Sequence, residues 1–136
     1  MRWILSIPLF AYLLVIANVV MLSWPEDQSM LNVIMLELAL PSGREIVLTV
    51  SDALIVSTYV ALYVEAFKAT RISVASQLDH VLSLLVFIAA LVQFLIVPRL
   101  GNVTFMVIML AALMDVIIGF SVSISTAKRD ITLGGL

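Results

Sequence analysis

Ionisable side chains inside long apolar runs are the residues of this chain whose type and position suit them for chemistry. Asp115 lies in the middle of the run from Gly101 to Thr126, which holds no other ionisable group. A carboxylate at that depth in a bilayer costs about 3 kcal/mol, so we expect it to be protonated, paired or turned towards other helices. Asp115 is therefore a candidate proton or cation relay, with a structural hydrogen bond between helices as the alternative.

Two tyrosines are the candidates to serve that acid. By depth, Asp115 matches Tyr12 in the first apolar run, and Thr58 and Tyr59 in the second. A phenolic hydroxyl donates one hydrogen bond, which a buried carboxyl group requires. We therefore expect Tyr12 or Tyr59 to lie beside Asp115.

A second polar set falls between the second and third apolar runs and comprises Glu65, Lys68, Arg71, Asp79 and His80. Glu65 and Lys68 have the i,i+3 spacing that is typical of an ordinary ion pair on a helix. A histidine beside an aspartate can titrate near neutral pH. We interpret the set as the salt-bridged cytoplasmic end of two helices, with contact to anionic lipid headgroups or to a partner as the alternative.

Composition excludes several classes of function. Of 136 residues, 63% are hydrophobic and 12% charged, against about 45–50% and about 25% in soluble domains. A net charge of −2 with seven Lys and Arg leaves no basic face for nucleic acid. There is no cysteine, and a single histidine does not supply the paired ligands of a membrane haem or a metal site. With no catalytic motif present, we expect no enzyme activity, no cofactor and no metal.

Four apolar runs predict an all-α membrane protein, with a single domain over residues 1–136 that forms a four-helix bundle. The expected transmembrane helices cover about residues 3–24, 52–68, 79–97 and 103–126. A cleaved signal peptide is the alternative for the first run, which is longer than a typical signal. Five of the seven basic residues fall on one side of these spans, which predicts that both termini are cytoplasmic (N-in/C-in).

The outer loop between the first two spans differs from the spans in its pattern. Pro41-Ser42-Gly43 is a turn signal between two apolar segments, so we predict a β-hairpin over about residues 31–50. A short interfacial helix over residues 28–40 is the alternative. Ser51 is expected to cap the second span, with Asp52 in its first turn. One face of the first strand should carry Asn32, Ile34, Leu36 and Leu38.

Small residues recur every four positions in two of the spans and place both acids on the same stripes. The stripes are Ala53, Ser57, Ala61, Glu65 and Ala69 in the second span, and Ala111, Asp115, Gly119 and Ser123 in the fourth. Small side chains let helices approach closely in lipid, so these stripes and their acids are expected to face protein. Asn18 and Gln93 lie at matching depth, and we expect a hydrogen bond between them.

Several segments together resemble a known family over most of the chain beyond residue 38. They are LPSGREIVLTVSDALIV, YVEAFKATR, LDHVLSLLVF, FLIVPRLGNVTF and LMDVIIGFSVSI. They are similar to an uncharacterised family of small four-span bacterial inner-membrane proteins, so the resemblance implies a topology and a location but no activity. Gln93 departs from the acid expected at its position. The residues that the resemblance singles out are Glu65, Lys68, Arg71, Asp79, His80 and Asp115.

Two functions follow from these features as expectations. The first is a non-catalytic accessory or scaffold subunit of a larger inner-membrane complex, whose partners are the lipid bilayer and other membrane protein subunits or a second copy. The alternative is a small homo-oligomeric transporter or channel, coupled to protons or cations through Asp115.

Overall fold

The helices of this protein follow its apolar runs, with a two-stranded hairpin between the first two. The computed structural model describes residues 7–23, 25, 30–70 and 74–133, with side chains in the last range for 79–125. The elements in chain order are α1 (Leu9–Leu22), β1 (Ile34–Ala39), β2 (Glu45–Thr49), α2 (Val50–Ala69), α3 (Val74–Ile96) and α4 (Val103–Leu133).

Three of these helices are long and apolar enough to cross a membrane, over Val50–Ala69, Asp79–Ile96 and Val103–Ser125. The first helix is shorter than predicted. It has 14 residues, a length of about 21 Å against the ~30 Å of a hydrocarbon core. It begins after Pro8, because proline lacks an amide hydrogen and disfavours helical geometry in the residue before it. Within the described residues, the predicted span over residues 3–24 is helical only over Leu9–Leu22, and Trp3 and Trp24 lie outside the described residues.

The fourth helix is the centre of the bundle. Of the most apolar 18-residue stretch of each helix, 50% of the residues are buried in α4, compared with 22% in α2 and 11% in α3. Its buried side chains Phe105 and Ile108 pack in one cluster with Phe10 and Ala17 of α1, and with Leu54 of α2. The outward faces of α2 and α3 expose large apolar side chains, as expected for helices that face lipid.

The hairpin is present, with strands shorter than the predicted range of 31–50. The two strands are antiparallel and pair Leu36 with Leu48 and Leu38 with Ile46. Gly43 adopts a positive φ of 79°, and its amide donates to the carbonyl of Leu40 at 2.9 Å. This is the type I turn followed by a left-handed glycine that three-residue hairpin loops favour. The helical alternative over residues 28–40 is wrong, because β1 occupies Ile34–Ala39.

Two local details of the hairpin differ from expectation. A β-bulge between Ile34 and Leu36 pairs Ile34 with Thr49, so Ile34 lies on the opposite face from Leu36 and Leu38. The residue that caps α2 is Thr49 and not Ser51. Thr49 and Asp52 form a reciprocal capping box, and the Thr49 amide donates to Asp52 Oδ2 at 2.9 Å.

Candidate functional site

Polar side chains from three helices meet in the half of the bundle that is remote from the hairpin. Glu65 lies about 22 Å, Ser83 about 20 Å and Asp115 about 18 Å from the hairpin-side ends of α2, α3 and α4, at 1.5 Å per residue. All three are buried, with exposed fractions of 3%, 4% and 5%. The set formed by Glu65, Lys68, Asp79, Ser83 and Asp115 is called the acid cluster below.

Lys68 joins the two helices that flank the cluster. Its Nζ lies 2.9 Å from Glu65 Oε2 on its own helix and 3.2 Å from Asp79 Oδ2 on α3. The side chain of Lys68 is 27% exposed while that of Glu65 is 3% exposed, so the ammonium brings positive charge from the edge of the bundle to a buried acid. The expected pair of Glu65 and Lys68 is present, and the structure adds Asp79 to it.

Glu65 also closes the start of the first helix. The amide of Leu9, the first residue of α1, donates a hydrogen bond to Glu65 Oε1. The first amides of a helix have no partner within it and carry a partial positive charge. A carboxylate from another helix therefore satisfies one of them and gains electrostatic stabilisation. Sequence analysis missed this contact, although Pro8 signals that a helix begins at that position.

Asp115 is hydrogen-bonded by a serine. The hydroxyl of Ser83 donates to the Asp115 side chain, and Glu65, Asp79 and Lys68 lie within electrostatic range of that carboxyl group. Within the part of the chain that the structure describes, Asp115 Oδ2 and Asp79 Oδ1 are buried without a hydrogen-bond partner. Ser83 stands one turn after Asp79 on α3, an i,i+4 spacing that was the available sequence signal for it.

The two candidate tyrosines do not serve this role. The side chain of Tyr59 is 63% exposed on the outside of the bundle. Tyr12 lines an open groove of about 310 Å³ between α1 and α2, together with Ser57. Thr58 is buried but donates to the carbonyl of Leu54, at 2.7 Å. The prediction matched these residues by depth along the helices alone, whereas the neighbour of a side chain depends also on the rotation of each helix about its axis.

The remaining candidates are His80, Arg71 and the predicted pair of Asn18 and Gln93. The imidazole of His80 packs against Gly119 of α4, where a Cβ would meet His80 Nδ1 and lie 2.8 Å from Cε1. A glycine at this position of the small-residue stripe is therefore required for the approach of α3. Arg71 lies outside the described residues. The predicted hydrogen bond between Asn18 and Gln93 is confirmed, with Asn18 Nδ2 3.0 Å from Gln93 Oε1.

The cluster is suited to holding positive charge. Among the described residues it brings three carboxyl groups, Glu65, Asp79 and Asp115, to one ammonium group, Lys68. The same described part of the chain contains no group of three or more His, Cys, Asp or Glu side chains arranged to hold a metal ion. The carboxyl groups, the hydroxyl and the ammonium of the cluster are chemically able to form ion pairs and to transfer protons between oxygen atoms.

Comparison of the whole chain with protein-family models, with curated proteins and with solved structures gives no match.

Proposed function

We propose that this chain is a non-catalytic accessory subunit of a larger inner-membrane assembly, and that its hairpin docks against another membrane protein. One observation carries the proposal, which is the aliphatic face of the hairpin. Leu36, Leu38, Ile46 and Leu48 lie on that face by their pairing. The first three are 41–49% exposed. An apolar face that its own bundle leaves uncovered is typical of an interaction site.

The other features of the hairpin favour a partner that covers only its aliphatic face. The opposite face carries Glu37 and Glu45 around Val47, so it suits water or a polar boundary. A lone two-stranded sheet is marginally stable in water, and both of its outer edges have unpaired backbone groups. A partner that covers the aliphatic face stabilises the sheet and removes apolar surface from water.

The membrane arrangement we propose is four crossings of a bacterial inner membrane with both termini in the cytoplasm. Three long apolar helices support it, with α1 as a shorter fourth element. The basic residues Arg44 and Arg99 lie at the hairpin end, while Lys68 lies at the other. Since the chain has no cysteine, single cysteines at exposed Ser42 and Thr70 test this orientation. An impermeant thiol reagent should label intact cells at Ser42 and not at Thr70, and the reverse pattern would contradict it.

Site-specific photo-crosslinking tests the docking. A photoreactive phenylalanine at Leu38 should form an adduct with a second, different protein in native membranes, because Leu38 is on the aliphatic face. The matched control is Val47, which is as exposed but lies on the other face. The Leu38 adduct should exceed the Val47 adduct several-fold. Adducts with lipid alone, or only with a second copy of this chain, would contradict an accessory role.

Charge substitution gives an independent test of the same face. Leu38→Lys should release the crosslinked partner during purification in mild detergent, because a buried unpaired ammonium is costly in an apolar contact. Val47→Lys should retain the partner. If both variants retain it, the aliphatic face is not the contact.

The acid cluster favours a second candidate function, a small transporter or channel coupled to protons or cations. Its specific support is the burial of Asp115 beside Asp79 and Glu65, since ionisable groups within a membrane mark ion pathways. In liposomes, Asp115→Asn should abolish an ion flux that Asp52→Asn, on the capping box, leaves intact. A wild-type protein without flux would remove this candidate.

A further inference from the structure

The three acids of the acid cluster differ in how completely their oxygen atoms are satisfied. Glu65 Oε1 accepts from the Leu9 amide and from Lys68 Nζ, the latter at 3.1 Å. Its Oε2 lies 2.9 Å from the same ammonium. Both oxygens have partners, and both partners are positive or partially positive. Glu65 is therefore satisfied as a carboxylate.

The two aspartates are not satisfied in the same way. One oxygen of Asp79 lies 3.2 Å from Lys68 Nζ, while Oδ1 is buried with no hydrogen-bond partner among the described residues. One hydrogen bond to Asp115 comes from Ser83, while Oδ2 of Asp115 is buried and has no partner in the same part of the chain. Asp115 as a whole is 5% exposed, so its carboxyl group is shielded from bulk water. Each aspartate thus has one open oxygen in the interior.

Charge counting leads to the same two residues. Among the described residues, three carboxylates face one ammonium, and Lys68 with the start of α1 accounts for Glu65. Asp79 shares the Lys68 ammonium with Glu65, and Asp115 contacts the neutral hydroxyl of Ser83. Two carboxylates within electrostatic range of each other, with open oxygens in an apolar interior, do not both remain ionised. Adding one proton reduces the excess negative charge and supplies a hydrogen-bond donor.

We propose that Asp115 and Asp79 form a proton-binding pair that holds one exchangeable proton, with Asp115 hydrogen-bonded by Ser83, which lies one turn after Asp79 on α3. A proton on either aspartate removes one negative charge and turns an open oxygen into a donor. The proposed proton is shared, so it belongs to the pair and not to one residue. This assignment depends on neither proposed function, because it concerns the isolated chain without a partner or a gradient.

The donor set favours a proton over a metal cation. Calcium takes six to eight oxygen ligands, and magnesium requires near-octahedral coordination. The described part of the cluster has two open carboxylate oxygens and one hydroxyl, and Lys68 already repels a second cation. A proton needs one oxygen to bind and a second to accept its hydrogen bond.

Every helix packed around the pair contributes a group that affects its titration. Glu65 and Lys68 face the pair from α2. The Leu9 amide, at the start of α1, donates to Glu65. On α3, His80 follows Asp79 directly and packs against α4 at Gly119. Glu65 favours retention of the proton and Lys68 favours its release, so substitution of either should change the pH at which the pair releases it.

Carbodiimide labelling tests the proposal on the purified full-length chain in detergent. Dicyclohexylcarbodiimide is apolar and reacts with protonated carboxyl groups, whose oxygen adds to its central carbon. Peptide mass spectrometry should therefore find its adduct on the segment that contains Asp115. Labelling should increase as pH falls. Asp115→Asn should abolish this adduct. In Asp79→Asn the Asp115 adduct at a given pH should fall about tenfold, because removing a negative neighbour favours the ionised form.

Three results would overturn the proposal. The first is a wild-type chain without an adduct at Asp115 at any pH at which it stays folded, which needs no variant to interpret. The second is protection from labelling by sodium or calcium at constant pH, which would assign a cation site in place of a proton site. The third is equal labelling in Asp79→Asn and wild type. Asp52→Asn, which lies outside the cluster, is the matched control for nonspecific effects of removing an acid.

Discussion

The two ends of the molecule differ in which kind of group lacks a partner. At the hairpin end, two pairs of polar side chains are satisfied by hydrogen bonds. Asp52 lies in a capping box, and the hydroxyls of Ser51 and Thr104 are 2.6 Å apart. The apolar side chains there, such as Leu36 and Met35, are exposed. At the other end the polar acid cluster is buried and two of its oxygens are open.

This difference separates the partners that each end requires. An exposed aliphatic face is completed by another apolar surface, either protein or lipid, and the contact is non-directional. A buried open oxygen is completed only by a donor or a cation at a defined position, because an unsatisfied polar group costs about 1–3 kcal/mol. The hairpin end is therefore suited to assembly, and the acid cluster to holding a proton.

Truncation of apolar side chains should give the largest contrast between the two ends. Phe105 is fully buried in the core, with an exposed fraction of 0%, so Phe105→Ala should destabilise the chain by about 3–4 kcal/mol through lost packing. Leu36→Ala on the hairpin should cost less than about 0.5 kcal/mol in the isolated protein. Unfolding in detergent with increasing denaturant measures both. Equal losses would mean that the aliphatic face is already covered.

Removal of the lysine tests the charge balance of the acid cluster. Lys68→Met should destabilise by about 3 kcal/mol, because it leaves the buried Glu65 carboxylate without its countercharge. Lys68→Arg keeps the charge and is the matched control. A stable Lys68→Met variant with unchanged carbodiimide labelling would show that the ammonium does not balance the acids.

Closer packing at the cluster border should have a smaller effect. A Cβ at Gly119 would meet the His80 ring, so Gly119→Ala should cost about 2 kcal/mol as α3 shifts away from α4. Ser123→Ala, one turn further along the same stripe, should be nearly neutral. Thermal unfolding followed by circular dichroism compares the two variants, and equal midpoints would contradict the close approach.

The smallest expected effect belongs to a closed polar pair on the hairpin side of the cluster. Asn18 and Gln93 hydrogen-bond at 3.0 Å between α1 and α3. A double-mutant cycle with Asn18→Ala and Gln93→Ala should give a coupling free energy of about 0.6 kcal/mol, typical of hydrogen bonds between helices in membranes. A coupling free energy as large as the effect of Lys68→Met would contradict the contrast between this hydrogen-bonded pair and the acid cluster.

Part of this structure follows from local patterns in the chain. For most of the ends of α2, α3 and α4, the apolar runs predicted the boundary to within a few residues. Pro41-Ser42-Gly43 predicted the turn. Matching depth was enough for Asn18 and Gln93, because both side chains lie in the contact between α1 and α3. Depth was insufficient for Asp115, whose neighbour is Ser83 and not a tyrosine.

The order of residues along the chain was enough to predict which segments are helices, which loop is a hairpin and which acids lie on the buried stripes. These properties depend on run length, on turn residues and on a spacing of four, all of which are local. The grouping of Asp79, Ser83 and Asp115, and the hydrogen bond from the start of α1 to Glu65, could be learned only from the folded arrangement. Those contacts depend on the rotation of each helix about its own axis, which the packing of all four helices sets together.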